Sequence, residues 1–235
     1  MKLLAIETAT GCQSVALMDG LRVLARCDRD AAGHHAKHLV PAIDEVFKMA
    51  GCGLSDVQAL AVSIGPGSFT GLRVGLATMM GFRMVRGLPL AVVPTLEAMA
   101  WNLRDSNETI CPVLKSRTGE VYWALYRWQD TGLLRIGEEQ VGPLEKLARA
   151  MTQPTTLYGE GWQANRYELR RLFNSVEALV KEGPADAMAA SAVSVGLVGA
   201  EKIRQNDIAG HGIAPRYIQR AEAEIMMDRR LAGAQ

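Results

Sequence analysis

The stretch Lys2-Leu3-Leu4-Ala5-Ile6-Glu7-Thr8-Ala9-Thr10-Gly11 decides how the rest of the chain is read. Lys2 to Ile6 is a short apolar run without alternation, the pattern of a strand covered on both faces. Glu7 to Gly11 is turn chemistry. Ser14 to Met18 predicts a second strand, Asp19-Gly20 a hairpin turn, and Leu21 to Cys27 a third strand, so the chain opens as an antiparallel meander. The period then changes. Leu39, Val40, Ile43, Val46, Phe47 and Ala50 fall on one face of a helix, which Gly51 stops. Leu60 to Ile64 reads as another buried strand and runs into Gly65-Pro66-Gly67-Ser68-Phe69-Thr70-Gly71. A long helix follows over 72–86, with Gly87 and Pro89 behind it. Leu90 to Val93 is a fifth strand, and Thr95 caps a helix reaching about Arg104.

The polar run Arg104-Asp105-Ser106-Asn107-Glu108 marks a boundary, and beyond it the pattern restarts. Pro112 to Leu114 is a strand, Lys115 to Glu120 a turn, and Val121 to Trp128 a strand, echoing Leu3 to Leu17. The echo divides the chain into two halves on one plan, 1–107 and 108–235. The second half is less regular. It carries helices near 144–151 and 164–173, a strand over Thr155 to Tyr158, and a small-residue helix over about 188–205 that is free to pack back on the first lobe. The charged tail from Pro215 to Gln235 reads as an extended segment or a surface helix.

Composition narrows the function classes. The chain has 235 residues, 49% hydrophobic and 22% charged, enough for an ordinary globular core. Lys+Arg 26 against Asp+Glu 25 leaves a formal charge of +1, so no global basic field would hold nucleic acid unaided. An aromatic content of 6% argues against a stacking platform for single strands. No apolar run reaches the roughly 18 residues of a membrane helix, and Glu7 comes too early for a signal peptide, which predicts a cytoplasmic protein. Cys12, Cys27, Cys52 and Cys111 form no C-x-x-C pair and read as reduced, buried thiols.

Among the motifs, the loop Gly65 to Gly71 stands between a strand and a helix. Its amides are placed to hold an anion, or its glycines let the helix pack closely. It lacks a Gly-Lys-Ser/Thr ending, a G-x-G-x-x-G run and a G-x-S-x-G elbow. Gly71 and Gly75 form a small-residue ridge, read either as core or as an interaction patch. His34 and His38 have metal-ligand spacing but no nearby carboxylate partner. Glu7 closes the first strand, where a carboxylate binds a metal, orients a water or caps a turn, with Thr8, Thr10 and Ser14 around it. In the second half Lys115 stands at the place of Glu7, so the two turns supply no pair of acids.

Taken in order, Leu4-Ala5-Ile6-Glu7-Thr8-Ala9-Thr10, Gly65 to Arg73, Gly119-Glu120-Val121-Tyr122 and Gly159-Glu160-Gly161-Trp162-Gln163 resemble the bacterial TsaB (YeaZ) family over nearly the whole chain. The resemblance implies an α/β, actin/Hsp70-like fold of two related lobes, each a mixed sheet flanked by helices. It implies a part in forming N6-threonylcarbamoyladenosine at position 37 of tRNAs reading ANN codons. The role is that of a scaffold binding the catalytic paralogue TsaD together with the ATPase TsaE, or pairing with itself when alone. tRNA would be reached through the complex, and no membrane is involved. This chain would need no cofactor of its own, ATP and Mg2+ being used by the partner subunits. TsaD-like chains carry H-x-x-x-H after the strand that follows the long helix. Here Thr95 and Met99 occupy the two histidine positions. The family's usual Asp at the end of the first strand is Glu7, and its usual Asp in the second turn is Lys115, with Arg117 retained.

The resemblance places the partner interface on helices of the first lobe. Their apolar excess and the Gly71/Gly75 ridge select Leu39, Ile43, Phe47, Gly71, Leu72, Gly75, Leu76 and Met79 on outward faces. It also predicts that Gly75→Leu weakens the complex and leaves the monomer folded. No catalytic or metal residue is expected. The candidate contacts of a nucleotide in the cleft are Glu7, Thr8, Thr10, Gly67 and Ser68. The rival from another class is an actin-like ATPase or sugar-kinase relative using Glu7 and the glycine loop, and a metallopeptidase stands behind it.

Overall fold

The computed structural model describes residues 1–31, 33–104, 106–173, 179–210 and 212–218. The first lobe runs β1 (Lys2–Glu7), β2 (Cys12–Asp19), β3 (Arg22–Asp30), α1 (His35–Ala50), β4 (Ala59–Ser63), α2 (Phe69–Arg86), β5 (Leu90–Val93) and α3 (Thr95–Ala100). The second runs β6 (Thr109–Lys115), β7 (Glu120–Gln129), β8 (Gly132–Pro143), α4 (Leu144–Ala150), β9 (Thr155–Tyr158), α5 (Glu160–Leu172), β10 (Val180–Glu182) and α6 (Ala192–Arg204).

The two sheets are copies of one topology. The first has strand order β3-β2-β1-β4-β5 and the second β8-β7-β6-β9-β10. In each, the first three strands form an antiparallel meander and the last two add in parallel beside the first. Parallel strands need crossover connections, and α1, α2, α4 and α5 supply them. Central strands buried on both faces need apolar side chains on both, which is why β1 shows no alternation. The expectation of two related lobes with mixed sheets is borne out.

The helix after the fifth strand of each lobe crosses to the other. Leu96, Met99 and Ala100 of α3 join the core of the second lobe, with Val113, Trp123 and Tyr158. Ala192, Val195 and Val198 of α6 pack on Leu3, Ala5, Ala61 and Ala91 of the first sheet. The approach of α6 is close. A methyl group on Gly196 would meet Met18, and one on Gly199 would fall on Ala61. Small residues in this helix therefore permit sheet contact. The Ser14 hydroxyl adds a tie between β2 and α6, accepting from the Ala192 amide at 2.9 Å and donating to Asp28 at 2.5 Å.

Several boundaries move for local reasons. α2 starts at Phe69 because Ser68 caps it, its hydroxyl accepting from the Gly71 amide at 3.2 Å. α5 starts four residues earlier than the periodicity predicts, directly after Gly159 at φ 106°. α6 starts later, capped by Ser191. Thr95 does not cap α3. Pro94 holds that position, and the Thr95 hydroxyl is buried without a hydrogen-bond partner among the described residues. The strands β8 and β10 have no counterpart in the sequence reading. The first is an exposed, glycine-interrupted edge and the second is three residues long. Residues 215–218 of the tail form no helix or strand, and 219–235 lie outside the described residues. Among the described residues no helix is long and apolar enough to cross a membrane. All four cysteines are free thiols, but only Cys27 and Cys111 are buried as the sequence reading expects, while Cys12 and Cys52 are half-buried.

Candidate functional site

The carboxyl ends of β1 and β4 bring the two first-lobe motifs together. The Ser68 amide donates to the Ala9 carbonyl at 2.6 Å. Gly67 packs so close to Ala9 that a Cβ would overlap the Ala9 carbonyl oxygen, and a Cβ on Gly71 would overlap that of Thr8. The Gly71 amide is spent on the Ser68 hydroxyl and the Leu72 amide on the Ser68 carbonyl. Of the two readings of the glycine loop, close packing is the one the geometry supports. Three amides at the start of α2, those of Ser68, Gly71 and Leu72, are used inside the chain.

Glu7 is fully buried at the end of β1. One carboxyl oxygen accepts from the Ala9 amide, and the other has no hydrogen-bond partner among the described residues. Burial pushes its pKa up to about 7. The Ala9 hydrogen bond and the nearby Ser63 hydroxyl offset part of the rise, and Glu160 adds to it. Thr8 is buried, its hydroxyl without a hydrogen-bond partner among the described residues, and the Thr10 hydroxyl donates to the Cys12 carbonyl at 3.1 Å. Glu7, Thr8, Thr10, Gly67 and Ser68 thus gather at one end of the sheet, where Glu7, Thr10 and Ser68 bond to the backbone of Ala9, Cys12 and Gly71.

Between the lobes lies a cleft of about 370 Å3, lined by Thr10, Ser68, Lys115, Arg117, Glu160 and Arg216 among others. Glu160, at the start of α5, has its pKa raised by burial and drawn back by the Lys115 charge and a hydrogen bond to the Lys115 backbone. Sequence reasoning quoted Glu160 in a family motif but gave it no role, because its approach to Glu7 depends on how the lobes close. Arg216 and Tyr217 were also missed, for the same reason. The donor set does not suit a magnesium nucleotide. Lys115 brings a cation where a second acid would be needed in the second-lobe turn, Glu7 is fully buried with its pKa raised to about 7, and the Ser68, Gly71 and Leu72 amides are occupied. Among the described residues no group of three His, Cys, Asp or Glu side chains could hold a metal. His34 and His38 meet edge to face, with ring centroids 6.3 Å apart.

The interface residues chosen from the sequence need correction. Leu39 and Ile43 of α1 and Leu72, Leu76 and Met79 of α2 are buried in the first lobe's own core. Gly71 and Gly75 face the Thr8 turn, and Phe47 packs half-buried on the same core. The apolar stripe of each helix covers the sheet, as an amphipathic helix does by default. Gly75→Leu would therefore strike the monomer itself. The outward faces carry other residues: Val40 and Met49 on α1, and Phe69, Met84 and Val85 on α2, all exposed. Ala77 and Gly81 of α2 are also exposed, and nothing lies within 4 Å of a methyl group built on Gly81.

Comparison with known proteins supports the family reading. A family model described as "TsaD: tRNA N6-adenosine threonylcarbamoyltransferase" matches residues 29–227. The tRNA threonylcarbamoyladenosine biosynthesis protein TsaB of Escherichia coli (strain K12) is 35% identical over 176 residues, covering 70% of this chain and 73% of that protein. Its namesake in Bacillus subtilis (strain 168) is 26% identical over 230 residues, 95% of this chain and 96% of that one. The structure of YeaZ from Pseudomonas aeruginosa superposes with a TM-score of 0.77 at 25% identity, covering 92% of this chain and 99% of that chain. A ROK hexokinase from Thermus thermophilus, at TM-score 0.51 and 13% identity over 87% of this chain and all of that chain, shares the actin-like fold. The family model takes in the glycine loop and the second-lobe turn, the Escherichia coli relative is 35% identical over 70% of the chain, and the chain belongs to the TsaB (YeaZ) family.

Proposed function

We propose that this protein serves the formation of N6-threonylcarbamoyladenosine on tRNA as a non-catalytic subunit. It docks on a TsaD-type transferase, a TsaE-type ATPase completes the assembly, and two copies pair when no partner is present. tRNA is met through the assembly, in the cytoplasm. The observation that carries the non-catalytic reading is the fate of Thr95 and Met99. Both stand where a TsaD-like chain has its histidines, both are fully buried, and Met99 packs in the second lobe's core. Neither side chain is offered to a ligand, and the cleft between the lobes is ill-suited to a magnesium nucleotide.

The docking face is the outward side of α1 and α2. On α2 the exposed Met84 and Val85 follow the small residues Ala77 and Gly81 at helical spacing, so a partner helix can come close there, and Val40 is exposed on α1. The test is light scattering of the chain alone and mixed with a TsaD-type subunit, with ATP turnover assayed in parallel. The expected result is a mixed complex, no turnover by the isolated chain, and a mixed complex weakened at least tenfold by Ala77→Arg with unchanged thermal stability. Turnover by the chain alone, abolished by Glu7→Ala, would replace this reading with the actin-like ATPase one.

A further inference from the structure

The segment after α6 runs back along the first lobe. The Ala209 amide donates to the Leu90 carbonyl at 2.8 Å, and Arg83 of α2 donates to the Gly210 carbonyl at 2.8 Å. Ile213 packs on the first lobe's core. The Arg216 amide then donates to the Ile64 carbonyl at 2.7 Å, at the end of β4. Here the chain lies against the glycine loop. A Cβ on Gly65 would stand 2.5 Å from the Arg216 carbonyl oxygen, and Gly65 has φ 114°. A glycine at this position thus serves a contact with a residue far along the chain. Tyr217 stacks on Phe69 with ring centroids 4.8 Å apart, and its hydroxyl accepts from Arg73 Nε at 2.9 Å. The Arg73 guanidinium lies over the Phe69 ring at 3.7 Å.

From that anchorage the segment reaches the second lobe. Arg216 Nη1 meets Glu139 Oε2 of β8 at 3.1 Å. The Glu139 side chain is almost wholly buried, and Arg216 is its ion-pair partner. Ile218 packs against the second lobe's core. A backbone bond on one lobe and an ion pair to a buried carboxylate on the other therefore meet in a single residue, the half-exposed Arg216, and Arg216, Tyr217 and Ile218 all line the cleft. The exchanged helices α3 and α6 also join the lobes. This segment joins them at the cleft itself.

We propose that residues 213–218 act as a clasp that fixes the angle between the lobes and the opening of the cleft, so that detaching it lets the cleft open. Arg216 and Glu139 are positioning residues in this device. A buried carboxylate that loses its cation is strongly disfavoured, so the closed form depends on the pair staying made. The clasp stands independently of the docking reading, since it rests on contacts within one chain.

The test is hydrogen exchange by mass spectrometry on the full chain, with Arg216→Ala, Glu139→Gln and the double variant. Arg204→Ala, which breaks a surface pair with Glu201 in α6, is the control. Peptides covering residues 8–12, 65–69 and 115–122 are expected to exchange at least roughly fivefold faster in each single variant, with β1 and β6 unchanged. The double variant is expected to match the faster single one, because one contact is lost once. Wild-type rates at the cleft in Arg216→Ala would overturn the proposal. So would a uniform rise across both lobes, or additive effects in the double variant. Should Glu139→Gln fail to fold, Arg216→Ala decides alone, because Arg216 lies outside every helix and strand.

Discussion

Gly75 of α2 rides on Thr8 at the end of β1, so that a methyl group added at Gly75 would fall on the Thr8 hydroxyl oxygen. The next atoms such a methyl would meet, Ile6 Cδ1 and Thr8 Cβ, stand at 3.5 Å, an ordinary contact. One oxygen therefore creates the conflict, and that oxygen has no hydrogen-bond partner among the described residues. Gly75→Ala is expected to destabilise the isolated chain by about 1–3 kcal/mol of overpacking, less about 1 kcal/mol of improved helix propensity. Thr8→Ala removes the obstructing oxygen and strands no partner. In urea unfolding Gly75→Ala should be better tolerated in the Thr8→Ala background than in wild type, and equal effects in the two backgrounds would refute the packing described.

Ser68 offers a second discrimination between a packing loop and a ligand loop. Its hydroxyl caps α2, and its amide is held by Ala9. Ser68→Ala should cost about 1 kcal/mol of stability, and Ser68→Asp should restore it, because a carboxylate caps equally well and suits the helix dipole. Assembly with a partner should not change. Retained stability with lost assembly would instead make Ser68 a contact residue.

The chain order of the fold was legible wherever one segment carried its own signal. The meander from Lys2 to Cys27 and the long helix behind the glycine loop are examples. So is the restart at Pro112, because burial on both faces and helical periodicity are local patterns. The edge strand β8 was not legible, since exposed positions such as Arg135 and Glu138 remove the alternation a reader relies on. The site divides the same way. Glu7 and Ser68 were found from their place at element ends. Glu160 and Arg216 were not, because they reach the cleft through pairing of the lobes. The interface residues failed for a different reason: periodicity identifies an apolar face but not what covers it. Leu39 and Met79 cover their own sheet.

Gly81 gives the outward face of α2 an independent check. It is exposed, in mid-helix, with open space around it. Gly81→Ala should stabilise the isolated chain by about 1 kcal/mol through helix propensity alone. Gly81→Leu should leave the chain folded and weaken self-pairing in light scattering, because a long side chain holds a second helix off. Undiminished pairing of Gly81→Leu would move the docking face elsewhere.

Glu7 makes the pH dependence of stability a test of its environment. Its pKa rises from 4.5 to about 7 on folding, so the folded chain holds a proton that the unfolded chain has released between those values. Stability from this group is greatest below about pH 4.5, falls as pH rises through about 7, and is level above. The drop amounts to roughly 3 kcal/mol for a shift of this size. Glu7→Gln keeps an oxygen for the Ala9 amide and carries no charge to desolvate. The stability difference, Glu7→Gln minus wild type, should therefore grow steadily between about pH 4.5 and 7 and stay constant beyond. Denaturant unfolding across that range reads it directly. A difference that does not vary with pH would mean that Glu7 is solvated or paired in the folded chain. The cleft would then hold a carboxylate ready to meet a cation, which is the condition the ATPase reading requires.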